Sequence, residues 1–224
     1  MGEAKEMRIA VEGAGLVSAV VMRPAKAKWM LALGHGAGAG MHHPFMSALA
    51  KELANVGVAT LRYQFPYMEQ KRKAPDRPAV LQATVAAAVR AASNAEPDLQ
   101  LLAGGKSMGG RMTSQAAAEG LIPEVRGLVF FGFPLHPPKQ PGTKRAEHLE
   151  KVVMPMLFLQ GTRDDLADLK LLKPICQKLG KRAALHIIET ADHSFHVLKK
   201  SGRSDEEVMR ELAETTAQWV KDLG

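Results

Sequence analysis

The sequence predicts an α/β protein: a doubly wound, mostly parallel sheet with helices on both faces, formed as one domain over residues 1–224. Three observations carry that prediction. Short apolar runs alternate with helical patterns along almost the whole chain. The run at residues 29–33 is continuously apolar, as in a strand buried on both faces. With 224 residues and 46% hydrophobic content, the chain has enough apolar surface for one sizeable core.

Taken in order, residues 8–11 and 17–22 read as short strands joined through Gly13, Ala14 and Gly15, a hairpin that predicts an antiparallel edge. The strand at 29–33 runs into a glycine-rich stretch at 34–40. Residues 44–55 read as a helix, with Phe45, Leu49 and Leu53 four apart and Gly57 as the stop. A strand at 58–61 follows, then an irregular loop over 63–78 holding Pro66, Pro75 and Pro78. The alanine-rich segment 79–95 is helical and closes at Pro97. Residues 99–103 are an apolar run that stops at Gly104 and Gly105, and 111–119 read as a helix. After a strand at 125–131, Pro134, Pro137, Pro138 and Pro141 exclude regular structure. Residues 156–160 and 185–188 are strands; between them lies a helix at 166–179, interrupted near Pro174. Ser204 to Glu207 form a capping box opening a last helix, in which Val208, Leu212, Thr215 and Trp219 share a face.

Composition excludes several classes of partner. The formal charge is +7 and the pI about 9.6, yet only 5% of residues are aromatic and the basic ones are spread out, so no nucleic-acid surface is expected. Lys71 to Lys73, Lys181 with Arg182, and Lys199 with Lys200 read as solvated loop positions. No apolar run approaches the roughly 20 residues that cross a bilayer, and residues 1–6 lack the apolar core of a secretory signal. A lone cysteine, Cys176, permits no intrachain disulfide, which suits a reducing, cytoplasmic setting; it reads as a small buried hydrophobe.

The chemistry concentrates at Gly105-Lys106-Ser107-Met108-Gly109, between an apolar run and a helical pattern, the context of a G-x-S-x-G nucleophile elbow. Small residues at 105 and 109 let the backbone pass close by and leave Ser107 projecting. A P-loop is excluded because Gln100 stands where its first glycine belongs. A serine needs a base, and the base an orienting acid. Asp164, straight after the strand at 156–160, is the preferred acid; Asp165 and Asp168, the latter placed inside the helix, are alternatives, and any of these acids can instead cap that helix. His193, just beyond the strand at 185–188, is the preferred base, with His196 as the alternative. An oxyanion hole is expected from the N–H groups of Met108 and Ala37, with Gly38 close behind. Arg62 and His136 fall on the same edge as candidate substrate-binding groups, and Lys106 shares that side. Residues 34–39 also fit a degenerate dinucleotide fingerprint, but no acidic residue ends the next strand and the helix begins too late.

Gly34-His35-Gly36-Ala37-Gly38, Gly105 to Gly110, Gly161-Thr162-Arg163-Asp164 and Ala191 to Phe195, together with Phe65 to Met68 and Phe133 to Pro138, resemble the α/β-hydrolase superfamily, and within it a compact, dienelactone-hydrolase-like group. The resemblance spans nearly the whole chain. It implies an α/β-hydrolase fold with a Ser–His–Asp triad at Ser107, His193 and Asp164, no cofactor and no metal. A serine stands where dienelactone hydrolase itself has a cysteine, so that substrate does not carry over. The expected function is hydrolysis of a small ester-like acyl substrate at an open site, because only residues 133–150 are free to form a cap. The other function considered is a catalytically silent hydrolase-shaped binding or scaffold module.

Overall fold

The computed structural model describes residues 4–223. Within them, eight strands form one sheet in the order β1-β2-β4-β3-β5-β6-β7-β8. These are β1 (Ala4–Val11), β2 (Gly15–Met22), β3 (Trp29–Gly34), β4 (Val58–Tyr63), β5 (Gln100–Lys106), β6 (Gly127–Phe131), β7 (Met156–Gly161) and β8 (Ala183–Ile188). β1 and β2 form the expected hairpin, and β2 pairs antiparallel with β4; every later pairing is parallel. All six residues of each of β3, β4 and β7 are buried, and β3 is the strand whose burial on both faces shows as a continuous apolar run.

Helices cover both faces. On one, α1 (Pro44–Asn55) and α6 (Asp205–Lys221) pack against each other and over Leu31, Leu33, Leu102, Val129 and Leu159. On the other lie α3 (Pro78–Ala95), α4 (Met108–Ala118) and α5 (Leu169–Leu179), over Met30, Ala32, Leu101, Ala103, Leu128 and Phe158. Cys176 is buried there, as expected, and burial pushes its thiol up to about 11. No helix among the described residues is long and apolar enough to cross a membrane.

Four local expectations are corrected. The loop after β4 contains a helical turn, α2 (Pro66–Glu69), begun by Pro66 and tied by Glu69 to Arg8 and Ser18 on the hairpin. Helix α5 runs unbroken through Pro174, whose ring lies on the exposed side while Leu172, Cys176 and Leu179 hold the buried side. Asp168 caps that helix instead of lying within it, its carboxylate accepting from the N–H of Lys170 at 2.8 Å. In α6 the capping box is present, but the buried stripe is Val208, Met209, Leu212, Ala213, Thr216 and Val220. Thr215 and Trp219 flank it half-buried, because Trp219 turns toward the sheet and lies over Gly127, where a Cβ would stand 2.7 Å from its ring.

Strand order reverses at β3, whose chain continues to β4 on one side while β5 lies on the other. The crevice beyond the carboxyl ends of β3 and β5 is the place where open α/β sheets hold ligands. The loop holding Ala37 leaves β3 there, and Ser107 leaves β5.

Candidate active site

Ser107 occupies the turn between β5 and α4 with φ 50° and ψ −115°, a backbone conformation that costs a non-glycine residue about 1–3 kcal/mol. The surroundings enforce it. Ser107 N–H donates to Phe131 O at 3.2 Å, and Ser107 O accepts from Arg111 N–H at 3.1 Å. A Cβ on Gly105 or on Gly109 would stand 2.3 Å from Gly34 O, so β3, β5 and the first turn of α4 meet backbone to backbone. Residues without a side chain are therefore required at 105 and 109, as expected.

Three segments distant in sequence converge on this hydroxyl. His193 Nδ1 lies 2.7 Å from Asp164 Oδ2, and its Nε2 lies 2.9 Å from Ser107 Oγ. A carboxylate only accepts, so Nδ1–H donates to Asp164, and Nε2 is left to accept the serine proton. The Asp164 side chain is wholly buried and also accepts from Leu166 N–H at 2.8 Å and from the Gln160 side-chain amide. Gln160 is itself fully buried at the end of β7, where its Oε1 accepts from Phe133 N–H at 2.9 Å. These bonds orient the acid, and nothing in the motif spacing pointed to Gln160; a polar residue ending an otherwise apolar strand was the available signal.

The alternatives separate cleanly. Asp165 is exposed, Asp168 is engaged as a helix cap, and His196 pairs at the surface with Asp205 Oδ2 at 2.6 Å. That pairing raises the His196 imidazolium and lowers the Asp205 carboxyl. The loop carrying His193 is tied by Asp192, whose Oδ1 accepts from the N–H groups of Ser194 at 2.8 Å and His196 at 3.0 Å. Within it Phe195 has φ 65° and a buried ring.

Across the crevice, Gly36 and Ala37 line the same cleft as Ser107. Among the described residues, neither Ala37 N–H nor Met108 N–H donates to a protein acceptor, leaving both free for a ligand oxygen. His35 shapes this loop from within. Phe65 N–H donates to its Nε2 at 3.1 Å, so its Nδ1–H donates to Gly36 O at 2.9 Å. Burial holds His35 neutral, bringing it down to about 4.

Two sequence candidates lie elsewhere. Arg62 is buried and donates to Met41 O at 3.0 Å and to Ser47 Oγ at 2.8 Å, pinning the chain before α1 to that helix. His136 is buried and accepts from Asp168 N–H at 3.0 Å while its Nδ1 meets Pro137 O at 2.9 Å, fastening residues 133–138 to the loop before α5. Neither lines the cleft, because both fill backbone hydrogen-bonding positions that the tertiary packing leaves open.

The cleft has a volume of about 790 Å³ and extends from Ser107 between the first turns of α1 and α6. Pro44, Phe45, Met46, Ala48, Leu166, Phe195 and Met209 give it apolar walls, and Glu52, Asp205 and Glu206 lie at its outer rim. Residues 133–150 do not cover it; Phe133, Leu135 and Leu149 are buried in the core beside α4. Among the described residues, no group of three or more His, Cys, Asp or Glu side chains converges as metal ligands would.

A mostly parallel sheet with a strained serine after its central strand β5, an acid after β7 and a histidine after β8 defines the hydrolase class of α/β proteins. Comparison with known proteins agrees. The model of the alpha/beta hydrolase domain matches residues 27–221, and the chain belongs to that family. Among solved structures, it is similar to XC6422 from Xanthomonas campestris, described as a serine hydrolase without lid (19% identity, 97% of this chain and 95% of that one, TM-score 0.77). It is similar to a dienelactone hydrolase from Anabaena variabilis (20% identity, 99% and 98%, TM-score 0.77). A third is Est1E from Butyrivibrio proteoclasticus (17% identity, 99% and 100%, TM-score 0.71). At these identities the structures speak for the fold.

Proposed function

We propose that this chain is a serine hydrolase that cleaves a small carboxylic ester or thioester through an acyl-enzyme. The observation that carries the reading is the hydrogen-bonded series from Ser107 Oγ through the His193 ring to the buried Asp164 carboxylate. Ser107 Oγ attacks the substrate carbonyl carbon as its proton passes to His193 Nε2, and Asp164 holds the resulting imidazolium. The N–H groups of Ala37 and Met108 receive the charge developing on the carbonyl oxygen. Collapse expels the alcohol or thiol, which takes the proton from His193. Water then attacks the acyl-serine with His193 as base, releasing the acid and restoring Ser107. The apolar walls suit a hydrocarbon acyl or leaving group, and the uncovered mouth suits a small soluble substrate. A single buried cysteine supports a reducing, cytoplasmic setting.

The test is labelling by a fluorophosphonate with the site mapped by mass spectrometry, alongside a panel of short acyl esters and thioesters. Labelling at Ser107 and hydrolysis at least 10³-fold faster than in Ser107→Ala are expected. A folded protein that stays unlabelled and hydrolyses nothing overturns the reading in favour of a hydrolase-shaped binding module.

A further inference from the structure

One charged group at the site has no place in that mechanism. Lys106, the residue before the nucleophile, sends its side chain under the His193 loop, and its Nζ is buried with no hydrogen-bond partner among the described residues. Above it are the rings of Phe195 and Phe45, with centroids 5.5 Å and 5.8 Å from Nζ. Below it is Gly132, at the end of β6 with φ 71°. A Cβ on Gly132 would stand 3.1 Å from Lys106 Nζ and 3.5 Å from both Asp164 Oδ2 and His193 Cε1. The absent side chain is thus what lets the ammonium approach the far edge of the imidazole and the acid beyond it.

We propose that Lys106 is a positioning residue acting through His193: its ammonium is the counter-charge to the buried Asp164 carboxylate and keeps the imidazole unprotonated, and so able to accept the Ser107 proton, below neutral pH. The inference rests on the serine-hydrolase reading. Asp164 alone favours the protonated ring, and a cation at the Cε1 edge opposes it. Burial brings Lys106 itself down to about 8, while Asp164 and Asp192 hold it up, so it carries its charge through neutral pH.

The other ionisable groups around the site are at least partly exposed, and of these Asp192 also acts on Lys106. His43 precedes α1 and Glu52 lies within it, Asp192 and His196 come from the loop after β8, and Asp205 and Glu206 from the start of α6. Asp192 is spent on the N–H groups of Ser194 and His196, Asp205 on His196, and Glu52 meets Asn55. Gly132, following β6, brings no ionisable group to this contact. Among the described residues, Lys106 is therefore the cation with a buried approach to the histidine.

The test compares the full chain with Lys106→Met, which keeps the length and removes the charge, and Lys106→Arg, which keeps the charge. The readout is the pH dependence of ester hydrolysis and of fluorophosphonate labelling between pH 5 and pH 9. In Lys106→Met the acidic limb moves up by about one pH unit, so that activity at pH values below the wild-type limb falls toward tenfold while the plateau is unchanged; Lys106→Arg restores the original limb. Superimposable limbs in the wild type and Lys106→Met overturn the proposal, as does a uniform loss at every pH, which marks a structural role. Titration of the His193 Cε1–H resonance by NMR needs no turnover and reads the same displacement, so it decides the charge proposal even if no ester is cleaved and the hydrolase reading falls.

Discussion

Ser107 is held in its strained conformation by what its neighbours lack. Gly105 and Gly109 remove the side chains that would keep α4 away from Gly34 O. Around this turn each polar side chain has one assigned position, and Gln160 has two tasks: it donates to Asp164 and accepts from Phe133 N–H. Replacing it with leucine strands a buried N–H and removes a donor from the acid. Gln160→Leu is expected to lose about 1–3 kcal/mol in urea unfolding and to lower kcat with KM little changed, because the misplaced acid matters most when the imidazolium forms. An unchanged kcat in a destabilised protein would reduce Gln160 to a core residue. Asp164 was legible from its place after a strand, whereas Arg62 and His136 looked equally well placed and turned inward. Position along a strand edge is readable from sequence; the direction a long side chain takes depends on which buried backbone groups lack partners.

At the scale of elements, the cleft is framed by the first turns of α1 and α6, so the stability of those turns sets the shape of the site. The α6 turn is secured by the reciprocal bonds of Ser204 and Glu207 and by Asp205, which accepts from Val197 N–H at 3.0 Å and pairs with His196. Ser204→Ala is expected to cost about 1 kcal/mol in chemical unfolding and to raise KM for esters with longer acyl chains more than kcat falls. An equal effect on all chain lengths would separate the cap from the cleft. Capping residues are local in sequence, so this turn was legible, as were the bounds of α1. The turn α2 was not, since its Glu69 is stabilised by Arg8 and Ser18, which lie far away in the chain.

At the scale of the whole molecule, acid stability follows from histidines folded in the neutral state. Burial lowers His35 to about 4 and also His148 to about 4, where Arg111 adds to the effect. A group lowered on folding binds more protons when unfolded, so stability is complete above pH 6.5 and falls as pH drops from there toward 4. For the fully buried His35 the loss at pH 5 is about 2 kcal/mol. The partly exposed His148 contributes less. Urea midpoints at pH 7.5 and pH 5 are expected to differ less in His35→Gln than in the wild type, since glutamine can bridge Phe65 N–H and Gly36 O without titrating. A slope unaltered by that variant would assign the acid sensitivity to other groups.

The alternation of strands and helices, the mostly parallel sheet with its antiparallel edge, and the chain order of Ser107, Asp164 and His193 were legible in the sequence. These are carried by period, by turn chemistry and by glycines at close approaches, all of which act over a few residues. Tertiary structure alone decided that Gln160 would orient the acid, that Arg62 and His136 would serve the backbone, and that Lys106 would lie buried beside the histidine. Each of those outcomes depends on burial and on a partner well separated in the chain (Phe133 for Gln160, Met41 and Ser47 for Arg62, Asp168 for His136, His193 for Lys106), and a local pattern carries no information about either.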